Sequence, residues 1–392
     1  MKIGIIGAGF AGVAASRVIA KEGHEVSLFS AEKVPPYYRQ RLPELAFGQE
    51  EPENIFLNSS EWYSENGIDL RLNTRVKAFN SDFEISTESG EKYNFDALIV
   101  ATGGGPVIPP FAAKGLNDFI FPLWNYADAQ EIRARCAKSK HMLIIGGGII
   151  GIESALRAER HNLKISIVEK MPHLMSRNFS KKASKVIETQ LLARGVDLYT
   201  GKGVETVEKG PDGECIVKIE GNESIKCDFV VISIGAGFDN RMADAAGLKT
   251  DKQIIVDKHL STSLPGIFAA GDVAQFTLPR PCSAKEALQQ GKAVGENIVA
   301  YLKGEEMKEY EVLPVPVRFK YDDFELYSIG LPPGKGDEVK LLDYDAVKVY
   351  RGCVYENSAL AGVQMVGSSK DFLKYQQEYL VSRIWEKMKG GK

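Results

Sequence analysis

The chain has 392 residues, enough for two or three domains with cores of their own, so a mini-protein held together by disulfides is excluded. Hydrophobic residues make up 44% and charged residues 26%, the balance of a globular protein and neither a disordered nor a fibrous one. With 49 Lys and Arg against 52 Asp and Glu the net charge is −3, which gives no global field for nucleic acid or an anionic membrane, and nucleic acid is not an expected partner.

Glycine is in excess, 38 residues or about 10% against a usual ~7%, which points to close approaches between backbone and a ligand. Five cysteines (Cys136, Cys215, Cys227, Cys282, Cys353) are scattered, with no pairing at zinc or dithiol spacing. Met1 and Lys2 lead straight into an apolar run and glycines, without the pattern of a signal peptide, and no run of 18 apolar residues occurs. The expectation is a cytoplasmic protein with no transmembrane segment and no metal site.

In chain order, an apolar strand leads into Gly7-x-Gly9-x-x-Gly12, which opens a helix running to about Gly23, followed by the strand 25–29. In such a turn the first glycine makes the bend, the second lets backbone approach a pyrophosphate, and the third lets helix and strand pack closely. The helix N-terminus adds free N–H groups and partial positive charge for the phosphates. The strand-end position that would meet a ribose is Ser30, and the nearest carboxylate is Glu32, two residues later, which reaches a ribose only through a bulge or longer turn. Short alternating strands from Val76 onward lead to an apolar strand, 97–100, that ends in Ala101-Thr102-Gly103-Gly104.

The same order of features then repeats. The strand 142–145 enters Gly146-x-Gly148-x-x-Gly151 and a helix over 149–160. Glu169 stands 18 residues beyond Gly151, at the end of the strand 164–168. A carboxylate there accepts hydrogen bonds from an unphosphorylated ribose and repels a 2′-phosphate, so NAD is favoured over NADP, although Lys170 beside it tempers the preference. Residues 204–237 repeat the alternating strands and the apolar, glycine-ended strand of the first copy. A further apolar strand closing on Gly271-Asp272 and an amphipathic helix over 283–302 are assigned to the first domain, so the second copy is inserted into it. The expected division is a discontinuous dinucleotide-binding domain, 1–107 and 241–313, a second one at 108–240, and a small C-terminal domain, 314–392. In that last domain strands are expected over 316–320, 338–342 and 347–350, a loop over 332–336, and a final helix over 369–389 bearing Phe372, Leu373, Tyr379, Leu380, Ile384, Trp385 and Met388 as an apolar stripe.

Two nested glycine-rich motifs, ATGG at 101–104 and Thr262 followed by Gly271-Asp272, resemble the FAD- and NAD(P)H-dependent pyridine nucleotide-disulfide oxidoreductase superfamily over residues 1 to about 310. The resemblance implies an α/β, glutathione-reductase-like fold: two Rossmann-like dinucleotide-binding domains, the second inserted in the first, plus a small α+β C-terminal domain. It implies FAD held by Gly7, Gly9, Gly12, Glu32, Arg39, Val76, Ala101, Thr102, Gly103, Asp272 and Gln290, and NADH held by Gly146, Gly148, Gly151, Glu153 and Glu169. Asp272 would accept from the flavin ribitol. Ala287-x-x-Gln290-Gly291, with Asn297 beyond, matches the helix whose N-terminus faces the flavin pyrimidine and stabilises its negative charge when reduced.

Pro36-Tyr37-Tyr38-Arg39-Gln40-Arg41-Leu42-Pro43-Glu44 is similar to the PYxRPxL segment of the rubredoxin reductase, ferredoxin reductase and nitrite reductase flavin-module branch. Gln40 replaces the usual proline, and Glu44 stands where many members have a lysine near the flavin, so the charge is reversed. Glu153 matches a glutamate that touches the nicotinamide. Members that reduce disulfides carry cysteines near the flavin, whereas residues 1–121 here contain none. The resemblance therefore implies electrons passing from NADH through the flavin to an external acceptor, a small carrier of the rubredoxin or ferredoxin type, with Arg39, Arg41, Arg318 and Lys320 as a basic rim for it. The alternatives are an NADH oxidase that reduces oxygen directly, or a flavoprotein subunit or sensor of a larger redox complex. A homodimer is compatible with either. A nitrite-reducing enzyme in a single chain is not expected, because no cysteine cluster for an iron–sulfur or sirohaem site follows the flavin module.

Overall fold

The structure, a computed structural model, describes residues 1–112, 119–211, 213–276, 282–312, 314–331, 336 and 338–390, with side chains to 383. By its contacts the chain divides into two compact units. One comprises Met1–Arg41, Glu51–Gly105 and Ala236–Val315, and the other Leu42–Glu50, Pro106–Gly235 and Pro316–Lys392.

The first unit is built on a five-stranded sheet in the order Ile267–Ala269, Ala97–Val100, Lys2–Ile6, Glu25–Phe29, Ile68–Arg71, with every pairing parallel. Its central strands are fully apolar and buried (Ile3, Ile5, Leu98 and Ile99 are all inaccessible), as a parallel sheet covered on both faces requires. The helix Phe10–Lys21 packs on the helix Ala284–Lys303. Gly291 makes that possible, because a Cβ there would overlap the backbone of Ala11. The three-stranded antiparallel meander Val76–Phe79, Glu84–Thr87, Lys92–Asn94 completes the unit.

The second unit repeats the plan. Its parallel sheet has the order Val196–Thr200, Lys164–Glu169, His141–Ile145, Phe229–Ile232, Ile120–Pro122, and its meander is Val204–Lys209, Cys215–Ile219, Glu223–Cys227. In both sheets the strand before the glycine-rich turn is central, flanked by the strand that leads to the acid, Glu32 or Glu169, and by the apolar strand that ends the copy. The fold is thus α/β with two Rossmann-type sheets of matching strand order. The second unit also contains the C-terminal sheet, ordered Val317–Tyr321, Phe324–Gly330, Ala359–Val366, Val349–Glu356, Glu338–Asp345 and antiparallel throughout, backed by the helix Phe372–Gly390. Two of those strands, Phe324–Gly330 and Ala359–Val366, carry no clean alternation that would set them apart in the sequence. Of the expected loop 332–336 only Gly336 is described, and the side chains of Ile384, Trp385 and Met388 lie outside the described residues. Phe372 and Tyr379 are buried in the C-terminal core, while Leu373 is 66% exposed.

The segment Leu42–Glu50 belongs to the second unit through packing and hydrogen bonds. Its helix Leu42–Ala46 buries Leu42, Leu45 and Ala46 against the helices Tyr126–Cys136 and Ile149–Ala158. His161 Nε2 meets the Phe47 carbonyl at 2.9 Å, and the Arg133 guanidinium donates to the Glu50 carbonyl at 3.3 Å.

Candidate functional site

The two glycine-rich turns have the same backbone. Gly7 and Gly146 sit at φ +111° and +110°, a region closed to side chains, and a Cβ on either would strike the strand-end backbone of the copy, at Ala101 or at Ser233. Gly12 and Gly151 lie so close beneath the turns that a Cβ would overlap the Gly7 or Gly146 carbonyl oxygen. Gly9 and Gly148 differ from these, since a Cβ on either would meet nothing within 4 Å. The first and third glycines are therefore dictated by the fold, and the middle one faces open space, as backbone approached by a pyrophosphate must.

The helices that follow share a second trait. The helices beginning at Tyr126, Lys181 and Ala284 are capped by the side chains of Asn125, Ser180 and Ser283. Phe10–Lys21 and Ile149–Ala158 start from Gly9 and Gly148 with no side-chain cap and no acid in the first turn. Their first N–H groups and their positive dipole ends are left for an anion. Both turns thus pass a test of fit to a dinucleotide phosphate: open backbone, uncapped helix start, and a carboxylate after or at the end of the next strand, Glu32 three residues beyond Phe29 and Glu169 at the strand end itself.

The carboxylates are held in different ways. In the first unit Glu32 accepts from the Tyr37 hydroxyl at 2.8 Å and from Arg39 Nη2 at 3.0 Å, and the Arg39 guanidinium lies 5.4 Å from the centre of the Tyr37 ring. Glu32 and Arg39 are thereby brought together, with Tyr37 (7% exposed) as a bridge that sequence reading did not assign to the site. The Ser30 Oγ accepts from the Glu32 N–H at 3.2 Å, which sets the turn that carries Glu32 round. Ala101 and Thr102 lie against Gly7, and the Ala101 N–H donates to the Ile6 carbonyl at 2.8 Å. Gly103, at φ +68°, continues that turn. Val76 starts the meander and packs on the core beneath the first sheet. Asp272 lies in the single helical turn Gly271–Val273. Gln290 is 1% exposed and its Oε1 accepts from the Gly271 N–H at 2.7 Å, so it fixes the turn that presents Asp272. Asn297 is likewise spent on backbone, donating to the His259 and Lys308 carbonyls at 2.8 and 2.9 Å.

In the second unit Glu169 is tied to main chain. Oε2 accepts from the Gly147 N–H and Oε1 from the Met171 N–H, both at 2.7 Å. Leu174 fills the space where a Gly147 Cβ would be, and the Met175 N–H donates to the Gly147 carbonyl at 2.9 Å. The pattern of glycines foretold Gly146, Gly148 and Gly151. Gly147 follows only from the loop folded against it.

Glu153 is 8% exposed on the helix Ile149–Ala158 and accepts from Arg157 Nε at 2.8 Å, one helical turn on. The same guanidinium donates to Glu44 at 3.1 Å and to Gln49, and stacks on Tyr321, ring centre at 5.3 Å. Burial pushes the Glu153 carboxyl above its ordinary value, with the Arg157 charge acting against that shift and the Glu44 charge adding to it. The reversed charge at Glu44 therefore has a partner, Arg157, which the Glu153 and Glu44 positions did not reveal in sequence because the three meet only in the fold.

Cys136, Cys215, Cys227 and Cys353 are buried and form no disulfide. Burial pushes Cys136 up to about 12 and Cys353 up to about 11, values that keep both as unreactive thiols at neutral pH. Among the described residues no helix is long and apolar enough to cross a membrane.

The family model of pyridine nucleotide-disulphide oxidoreductases matches residues 1–291. A nitrite reductase [NAD(P)H] of Bacillus subtilis is 27% identical over 93% of this chain and 44% of its own length. A rubredoxin-NAD(+) reductase of Pseudomonas putida is 30% identical over 70% of this chain and 72% of its own. The solved NADH:rubredoxin oxidoreductase of Clostridium acetobutylicum superposes with a TM-score of 0.79 at 25% identity, over 96% of this chain and 93% of that one. The chain spans about half the length of the first curated relatives it matches, 44% and 48%. With two uncapped glycine turns in sheets of one strand order, the chain belongs to the pyridine nucleotide-disulphide oxidoreductase family, in its rubredoxin reductase-like branch.

Proposed function

We propose that the chain is an FAD-dependent NADH oxidoreductase that delivers electrons to a small carrier protein of the rubredoxin or ferredoxin type. The observation that carries this reading is the pair of equivalent, uncapped glycine turns, each with its own carboxylate, in a chain with no cysteine in residues 1–121. FAD belongs to the discontinuous domain 1–107 and 241–313, held by Gly7, Gly9, Gly12, Glu32, Arg39, Val76, Ala101, Thr102, Gly103, Asp272 and Gln290. NADH belongs to 108–240, held by Gly146, Gly148, Gly151, Glu153 and Glu169. Residues 314–392 form the acceptor face, and the buried cysteines without disulfides fit a reducing, cytoplasmic setting.

Bound FAD supplies the ability to take an electron pair from NADH and give electrons up singly. The chain supplies position and electrostatics. The N–H groups at each helix start would hold pyrophosphate, Glu169 would accept from the adenosine ribose and select against a 2′-phosphate, and Arg157 would keep the buried Glu153 carboxylate in place beside the nucleotide, with no protein acid or base needed in the reaction. A second reading is favoured by one finding: relatives that continue for twice the length of this chain match it over 93% and 94% of its residues. In that reading the chain is the electron-transfer module of a larger reductase.

The test is an anaerobic NADH titration followed by flavin absorbance, with the reduced protein then divided between oxidised rubredoxin, oxidised ferredoxin and air. Bleaching by NADH and reoxidation by a carrier faster than by air is the expected result. Fast reoxidation by air alone makes the protein an oxidase, and a failure to bleach removes the NADH site.

A further inference from the structure

The loop 170–180, between the strand Lys164–Glu169 and the helix Lys181–Ala193, is fastened at both ends. At one end it lies on the second glycine turn: Leu174 covers Gly147, and the Met175 N–H donates to the Gly147 carbonyl. Met175 takes φ +53°, a left-handed conformation that a non-glycine residue adopts at a cost of order 1 kcal/mol and keeps only where its surroundings impose it.

The other end of the loop is fastened by the C-terminal sheet. The Asn178 carbonyl accepts from Ser328 Oγ at 3.0 Å and from Gln364 Nε2 at 2.9 Å, and Gln364 Oε1 accepts from the Ser180 N–H at 3.0 Å. Gln364 is fully buried and Ser328 is 4% exposed. Two side chains from neighbouring strands, about 150 and 185 residues further along the sequence, thus use their polar atoms on the backbone of this one loop. A buried amide whose oxygen and nitrogen both bond to main chain fixes a conformation more strictly than apolar packing does, because any shift leaves a polar group unpaired.

We propose that Ser328 and Gln364 are positioning residues for the nicotinamide dinucleotide: the C-terminal sheet holds the loop 170–180 against Gly147, and through it the register of Glu169 and the open backbone at Gly148. This rests on the reading of the second glycine turn as the NADH site. The sheet named above as the acceptor face is then also part of the frame of the donor site, so a partner whose docking shifted Ser328 or Gln364 would change the affinity for NADH, and NADH would change that partner's affinity by the same factor.

Calorimetric titration of the flavin-loaded full chain with NAD⁺ tests the proposal, using Ser328→Ala and, as a stronger lesion, Gln364→Met. Both variants are expected to bind NAD⁺ about fivefold more weakly or worse, to show faster hydrogen exchange over 171–180, and to keep the wild-type flavin content. Ser328→Ala removes one hydroxyl without changing shape, so it serves if Gln364→Met does not fold. A melting temperature that falls while the NAD⁺ affinity stays within twofold of wild type makes both residues merely structural and overturns the proposal. If the wild-type chain itself binds no NAD⁺, the reading of the turn fails first, and that outcome is distinct because it does not depend on either substitution.

Discussion

The two glycine turns share a backbone and differ in everything that surrounds it. The middle residue is Ala8 in the first and Gly147 in the second. A methyl is tolerated at the first, whereas at the second Leu174 already occupies its place. The first acid, Glu32, is held by the side chains of Tyr37 and Arg39, while the second, Glu169, is held by the N–H groups of Gly147 and Met171. A side-chain clamp built on a long arginine can give way to a ligand. A backbone clamp cannot move without the turn. A repeated motif therefore fixes the backbone of the turn, and the loops around it decide how rigidly the neighbouring carboxylate is held.

The sharpest way to break the comparison is to destroy one turn at a time. Gly12→Ala and Gly151→Ala each place a methyl on a carbonyl oxygen and should cost about 2–4 kcal/mol of local stability. Gly12→Ala is expected to yield protein without flavin absorbance, and Gly151→Ala to keep the flavin but lose bleaching by NADH; loss of flavin in both would mean that the turns are not separate sites.

Glu169→Gln comes next. It weakens two backbone bonds and removes the charge that repels a 2′-phosphate, so the preference for NADH over NADPH in kcat/KM should fall roughly tenfold, with the flavin spectrum unaltered. Equal ratios in the variant and the wild type would remove Glu169 from the adenosine site.

Smaller still is the contrast at the middle position. Gly147→Ala must displace Leu174 and is expected to cost about 1–2 kcal/mol, whereas Ala8→Gly should cost less than about 1 kcal/mol, mostly through the freedom of the unfolded chain. Denaturant midpoints measure both, and equal losses would contradict the asymmetry.

The smallest effect concerns pH. The Glu153 carboxyl is held above its ordinary value chiefly by burial. Its contribution to stability is present in full below the unfolded-state value and is lost as pH rises through the higher folded value. Glu153→Gln should flatten that part of the stability profile, and an unchanged slope between acid and neutral pH would show that the Arg157 charge cancels the effect of burial.

Much of this was legible in the residues themselves. Gly7, Gly12, Gly146 and Gly151 are forced by φ or by a carbonyl beneath them, and the runs 97–100 and 142–145 are apolar because a covered parallel sheet has no polar face. Such requirements act over a few neighbouring positions and leave a spacing in the sequence. The Glu153–Arg157–Glu44 cluster was only half visible: the i, i+4 pair lies within one helix, but Glu44 joins it from more than a hundred residues away. The backbone bonds of Gln290 and Asn297 carried no signal in the sequence, since a side-chain amide in a buried helix bonds to whichever main-chain group the packing leaves unpaired.

The sequence by itself determined the two glycine-rich turns and their order, because a positive φ at Gly7 and Gly146 and a carbonyl oxygen against Gly12 and Gly151 leave room only for glycine there. Only the tertiary structure decided that Leu174 packs where a Gly147 Cβ would lie, that Arg157 answers the reversed charge at Glu44, and that Ser328 and Gln364 hold the loop beside the second turn. The physical reason is that these groups meet across long stretches of chain, where burial in the folded unit makes an unpaired polar group costly and so selects the partner, with no periodicity in the sequence to announce it.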